Sequence, residues 1–323
     1  MPGPAVRSAS TNRTILRERD IQFSHGLLRN LKESGLTDNH HFPLPPHIAY
    51  VANGMLQESK QLLYHYTDRA GFLGILRSEN VWATAYDCLN DPQELVFAKV
   101  LLKGELWKRC EGAPGLRGLL AEIDALNFGD VYIASFSKTG DLGTQWQLYA
   151  KREGVSLGFP REIFEAAAQL RSGITIADVV YEPSQQVKLL APVVDEACAT
   201  ASIAASAGEL KRSFVERVAP KFRLVAPVIK NHGWSAEEEV RVIFTGSSWQ
   251  AKTRTRGDQK VRYVTFPFKR FYKYARSVDL HFENNRVAPS SSMARLEQVA
   301  REFQKGYYRF GAVSFSGMAI NWP

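Results

Sequence analysis

Along residues 1–45 apolar positions are sparse and irregular among Ser, Asn, Arg and Pro, with one weak amphipathic patch around Ile21–Leu36. With the cluster Pro43-Leu44-Pro45-Pro46 at its end, this stretch reads as a flexible extension holding at most a short helix. From Leu62 the pattern tightens. Leu62–Thr67 has the composition of a strand, and Asp68 then caps a helix through Leu76. Val81–Thr84 is a second short strand. Asn90-Asp91-Pro92-Gln93-Glu94 opens a helix to about Arg109, with Asp at the cap, Pro in the first turn and Glu close behind. Val131–Phe136 and Val155–Phe159 read as strands, Gln145–Lys151 as a short helix and 160–170 as a longer one. Val179–Glu182 and Val187–Leu190 read as short extended pieces, and the Ala-rich stretch 194–229 as a long helical region. Val240–Phe244 is a strand, 247–276 a hairpin turning at Arg256-Gly257-Asp258, and Val278–Phe282 another strand. Ser290–Lys305 is a helix with Met293, Leu296, Val299 and Phe303 on one face, and Ala312–Phe315 is extended.

Strands and helices alternate without an internal repeat or a Gly-rich βαβ opening. This predicts an α+β fold with a mainly antiparallel sheet flanked by helices over residues 60–323, preceded by an extension at 1–59. The chain has 323 residues, 45% of them hydrophobic, which is enough for a sizeable core, and no apolar run reaches the length of a membrane span. The N-terminus lacks the basic and apolar regions of a secretory leader. Cys88, Cys110 and Cys198 are widely separated, in neither a disulfide framework nor a metal spacing, so a reducing bacterial cytoplasm is the expected setting, with delivery into another cell left open.

Charge changes the picture. The formal net charge is +8, but residues 1–207 carry −3 and residues 208–323 carry +11. The excess is densest at 247–276, where nine Lys/Arg and one Asp interleave with seven aromatics. Lys252, Arg254, Arg256, Lys260 and Arg262 are therefore candidates for nucleic-acid or phosphate contact. A solvated basic hairpin has the same pattern.

No P-loop, dinucleotide fingerprint, zincin helix or nucleophile elbow occurs, and the seven His are scattered, so no metal is expected. What remains is a set of polar and aromatic residues on or beside strands. His65 sits in an apolar strand, followed by Tyr66 and Thr67; Trp82 and Thr84 lie on the next strand. Ser135 and Ser137 share one face by the two-residue period. Trp146 and Tyr149 are about one helical turn apart. In Trp234-Ser235-Ala236-Glu237-Glu238-Glu239-Val240-Arg241 an extended chain would put Glu237, Glu239 and Arg241 on a common face, an arrangement costly to bury. Taken singly, His65 also fits a satisfied core histidine, the serines a strand end, Trp146 and Tyr149 core anchors, and the glutamates a solvated edge with Arg241 paired to Glu94 or Asp91.

The segments LLYHYT, VWAT, LNDPQE, ASFSKTGDLGTQWQLYAKREGVSLGF, WSAEEEVRVIF and AVSFS together resemble the bacterial DUF2971 family over roughly residues 62–316. A strand His before a "GIL" helix, a strand Ser-x-Ser and a late Glu-x-Glu are more distantly similar to the active-site order of ADP-ribosyltransferases. That second resemblance implies NAD as substrate and an ADP-ribosyltransferase-like split sheet. His65 would bond the ribose or the nicotinamide amide, Ser135 or Ser137 would support the ribose, and Tyr66 or Trp146 would stack. Glu239 would be the catalytic carboxylate and Glu237 would orient acceptor or ribose. Thr67, Trp82, Thr84, Tyr149 and Arg241 complete the expected cofactor-binding set.

The expected activity is transfer of ADP-ribose to a protein or nucleic-acid acceptor, in a toxin, effector or antiphage setting that could involve an antitoxin or complex partner and no membrane. An NAD glycohydrolase and a non-catalytic nucleic-acid or nucleotide-binding protein are the alternatives.

Overall fold

The computed structural model describes residues 61–91, 93–246, 249–274, 283–288, 291–306, 310 and 313–318. The N-terminal extension and the strand expected at Val278–Phe282 lie outside the described residues.

Among the described residues ten strands form an open, mostly antiparallel sheet flanked by helices. They are β1 (Leu62–Thr67), β2 (Val81–Ala85), β3 (Val131–Ser137), β4 (Val155–Pro160), β5 (Ile174–Asp178), β6 (Glu239–Thr245), β7 (Lys252–Arg256), β8 (Gln259–Phe266), β9 (Glu283–Val287) and β10 (Val313–Phe315). The sheet forks at β3. One edge of β3 pairs with β6 along seven residues, from Val131 opposite Thr245 to Ser137 opposite Glu239, and β5 lies outside β6. The other edge is shared: Ser137 meets Tyr64 of β1, while Ile133 and Tyr132 meet Thr84 and Ala85 of β2. One wing therefore continues through β1, β4, β9 and β10, with β9 and β10 parallel, and the other through β2, β8 and β7.

Alternation along these strands sends the two faces to different cores. Leu63, Phe136, Leu157, Phe159, Val242 and Phe266 are buried on one face. They pack with Phe72 of α1 (Arg69–Ser78), Phe164 of α4 (Arg161–Leu170) and Phe303 of α8 (Met293–Lys305). On the opposite face Ile133 and Ile243 join a helical layer. It comprises α2 (Gln93–Cys110), α3 (Leu116–Ala125), α5 (Pro183–Ile203) and α7 (Ala219–Val225), through Leu106, Leu119, Leu190 and Phe222. Tyr64, Tyr66 and Trp146 make a third, aromatic cluster beneath β1. Capping follows the sequence: Asp68 Oδ1 accepts from Gly71 N at 2.9 Å and Asp91 Oδ1 from Gln93 N at 2.8 Å.

Three expectations are corrected. Val187–Leu190 is not extended but lies within α5, because Leu189 and Leu190, with Val193, Val194 and Ala197, form a buried helical face against α2, while Val187 is exposed. The Ala-rich region is interrupted: α5 ends at Ile203, α6 (Ala207–Ser213) starts at the Ser206 cap, and a π turn, Phe214–Val218, leads into α7. Finally, Cys110 and Cys198 form a disulfide joining α2 to α5, with Cα atoms 5.6 Å apart and 88 residues between them in sequence. Spacing hides such a bridge, since helix packing alone brings the two together. Denatured without reductant, the purified chain is expected to titrate one thiol, that of Cys88, and three after reduction; three before reduction would refute the pairing.

Candidate active site

Five charged side chains meet, buried, where β6 enters the sheet: Glu94, Lys230, Glu237, Glu239 and Arg241. They arrive on several local devices. Glu94 stands in the first turn of α2, behind the Asp91 cap. Lys230 follows an isolated bridge between Val180 and Ile229, and the buried amide of Gln186 donates to both Val180 O and Lys230 O at 2.7 Å, fixing that strand end. Glu239 and Arg241 alternate on β6, opposite Ser137 and Ser135 of β3.

Glu237 does not continue that strand face as its spacing suggested. It closes a 3-10 turn, His232–Glu237, that Asn231 caps, and Glu238 then adopts a left-handed conformation, φ 47°, before β6 begins. The turn nevertheless returns the Glu237 carboxylate to the cluster.

Arg241 holds the cluster as a fork. Its Nε donates to Glu239 Oε1 at 2.7 Å, and its Nη2 to Glu239 Oε2 at 3.0 Å and to Glu94 Oε2 at 2.6 Å. Its Nη1 donates to Pro227 O at 2.7 Å. Lys230 Nζ bridges all three carboxylates, donating to Glu237 Oε2, to Glu239 Oε2 at 3.1 Å and lying 3.2 Å from Glu94 Oε1. Such charges survive burial only when their hydrogen-bonding atoms are occupied. Tyrosines enclose the group: Tyr149 OH donates to Glu237 Oε1 at 3.4 Å, and Tyr181 OH accepts from Glu239 N at 3.1 Å.

Three carboxylates face two cations, an excess of one negative charge. Burial raises the Glu239 carboxyl, but Arg241 and Lys230, with hydrogen bonds from Arg241 and the Ser135 hydroxyl, outweigh it and hold it below the ordinary carboxylate value. Glu237 goes the other way. Burial raises it, Glu239 and Glu94 add to the rise, and Lys230 only partly opposes. Two neighbouring carboxylates thus have proton affinities pushed apart, the pattern by which one site holds an ionised stabiliser beside a proton carrier. The exposed Ser135 and Trp234 mark the solvent side of the cluster, and Lys230 Nζ lies 5.5 Å from the Trp234 ring centre.

The other expected residues are distributed differently. His65 lies on the face of β1 opposite Tyr64 and Tyr66, beside Phe136 at 5.6 Å. Its Nδ1 lies 3.1 Å from Ser135 O of β3, and burial holds the imidazole below its ordinary value despite that bond. Tyr66 and Trp146 pack edge to face at 5.0 Å. Tyr66 OH donates to Thr139 O and accepts from Leu142 N, both at 2.8 Å, and Trp146 Nε1 donates to Asp141 at 2.8 Å. Trp146 is fully buried. Thr67 ends β1 opposite Val155, and Ser137 Oγ accepts from Thr139 N at 3.1 Å.

Trp82 and Thr84 lie on the other wing with the basic hairpin. There Arg256 is spent on Asn90 and Cys88 O, and Arg262 on Asp87 and Gly129 O. Lys260, opposite Thr255, falls on the other side of the hairpin from Arg254. Lys230, Tyr181 and the central place of Glu94 were missed. The available signal was a single lysine closing the apolar run Ala226–Ile229, where a surface role is hard to accommodate.

No helix among the described residues is long and apolar enough to cross a membrane. No curated protein and no solved structure matches the chain. Residues 145–242, the segment that supplies Trp146, Tyr149, Lys230, Glu237, Glu239 and Arg241, match the family model described as a protein of unknown function, DUF2971.

Proposed function

We propose that the chain cleaves the bond between nicotinamide and ribose in NAD and transfers the ADP-ribose to a macromolecule. The observation that carries the reading is the buried Glu237–Glu239 pair, bridged by Lys230, with carboxyls shifted in opposite directions. Breaking the C1′–N1 bond sends its electron pair to nicotinamide and leaves positive charge on the ribose. An ionised carboxylate in a cluster with one excess negative charge stabilises that charge where water is excluded. In this reading Glu239, fixed by the Arg241 fork, is the stabiliser. Glu237, more basic and less tightly bound, takes the proton as an acceptor oxygen or nitrogen bonds to C1′. The exposed Ser135, hydrogen-bonded to Glu239, lies where the ribose hydroxyls would enter. The forked, split sheet is consistent with the ADP-ribosyltransferase-like expectation.

His65 and Trp146 support the reading less: the one faces away from the carboxylates and the other is fully buried. The test is incubation of the full chain with NAD labelled in the adenine half. Nicotinamide release with label on protein or nucleic acid is the expected result. Free ADP-ribose alone would make the enzyme a glycohydrolase, and no release would end the reading.

A further inference from the structure

The second wing carries a surface unrelated to the carboxylate cluster. On β2, Trp82 and Thr84 face the same side as their β8 partners Thr265 and Tyr263, and Lys252 and Arg254 of β7 join them opposite Tyr263 and Val261. Trp82 and Tyr263, diagonal neighbours across the strands, stack with ring centres 4.6 Å apart and planes 29° apart, yet Trp82 stays 39% exposed. Arg254 lies over both rings, 5.0 Å from Trp82 and 5.8 Å from Tyr263, and its Nη2 donates to Thr84 Oγ1 at 3.3 Å. Its Nε is shielded from solvent and lacks a partner among the described residues. Burial and the like charge of Arg256 hold this guanidinium below its ordinary value, a strain that an arriving anion would relieve. Lys252 is exposed beside it, and the two-residue turn at Gly257, φ 58°, keeps β7 pressed on β8.

We propose that this face binds single-stranded nucleic acid, with a base extending the stack from the open side of Trp82 and backbone phosphates meeting Arg254 and Lys252. Flat rings flanked by cations suit unpaired bases on a phosphate chain. A duplex hides its base faces, and an acidic peptide has no use for the stack. The binding goes beyond the NAD reading and does not rest on it.

Fluorescence anisotropy of the full chain with a labelled oligo(dT) of about 12 nucleotides tests it. Expected are quenching of Trp82, affinity that falls with salt, and Trp82→Ala binding about ten-fold or more weakly. Tyr263→Phe, which keeps the stack, should bind like the parent, and Lys252→Ala should flatten the salt slope by about 0.7. These positions are at least partly exposed, and circular dichroism checks that each variant is folded. The proposal is overturned by absent binding, by an unchanged affinity in folded Trp82→Ala, or by duplex DNA or polyglutamate competing as well as oligo(dT). Because no NAD is present, failure here leaves the NAD reading standing, and the reverse also holds.

Discussion

Arg241→Met is expected to destabilise the fold by about 3–5 kcal/mol, read as a fall in the denaturant midpoint at pH 7. The side chain is 1% exposed and donates four hydrogen bonds, two to Glu239, one to Glu94 and one to Pro227 O. Methionine fills much of the space, but it leaves three buried carboxylates with Lys230 as their remaining cation, and stranded charge costs more than the pair ever gained. Arg241→Lys should fall between, since it keeps the charge and loses the fork.

The loss should also depend on pH. Glu239 titrates in the fold below its ordinary value of 4.5, so the stability it contributes is complete above 4.5 and disappears as pH falls through the depressed value. Parent and Arg241→Met should therefore differ most at neutral pH and converge in acid. Adding Glu239→Leu to Arg241→Met should recover part of the loss, because it removes one of the stranded charges. A midpoint change worth less than about 1 kcal/mol for Arg241→Met would mean that the cluster is hydrated and the fork unimportant.

The parts of this architecture written locally were legible in sequence. Leu62–Thr67, Val131–Phe136 and Val240–Phe244 read as strands because they are rich in apolar, aromatic or β-branched residues, and Asp68 and Asp91 announce helix starts by a side chain that reaches its own backbone. The fork in the sheet was anticipated only as a class. Which strands share the edge of β3 depends on pairings about 70 residues apart, Tyr64 with Ser137, and about 50 apart, Thr84 with Ile133.

The same limit governs the site. Glu239 and Arg241 are two residues apart on one strand, so their common face follows from the period. Glu237 was grouped with them on the wrong geometry, because the left-handed Glu238 does not show in the spacing. Lys230 could not be found by local reading, and Glu94 entered only as one of two partners for Arg241 at a solvated edge, whereas the pair is buried and spans 147 positions of chain. Val187–Leu190 was misread because three apolar residues within four positions fit a short strand as well as one turn of a helix. His65 was grouped with the carboxylates by chain order, which carries no information about which face of β1 it occupies.

Glu237→Gln is expected to lower nicotinamide release by about 10²–10⁴-fold without lowering the stability of the chain at pH 7. The two halves of this outcome come from one cause. Glu237 is more basic in the fold than its ordinary value of 4.5, so the stability it contributes is present below 4.5 and is lost as pH rises through its raised value. At neutral pH its charge is therefore a burden on the fold. An amide removes that charge, brings the cluster from an excess of one negative charge to balance, and still offers an oxygen to Lys230 and a donor to Tyr149. It cannot take up a proton, so the acceptor stays protonated and transfer stalls. Parent turnover should rise with pH through the raised Glu237 value, a limb absent from the residual activity of the variant. Glu239→Gln is the weaker test, because the same change that removes the stabiliser also breaks the Arg241 fork, and lost turnover would then accompany lost stability. The decisive comparison is a denaturation curve and an NAD time course on the same preparation of Glu237→Gln. Turnover close to the parent's would remove Glu237 from the chemistry. A midpoint falling as far as that of Arg241→Met would make it a structural carboxylate, since a residue kept for catalysis is one whose loss the fold does not resist.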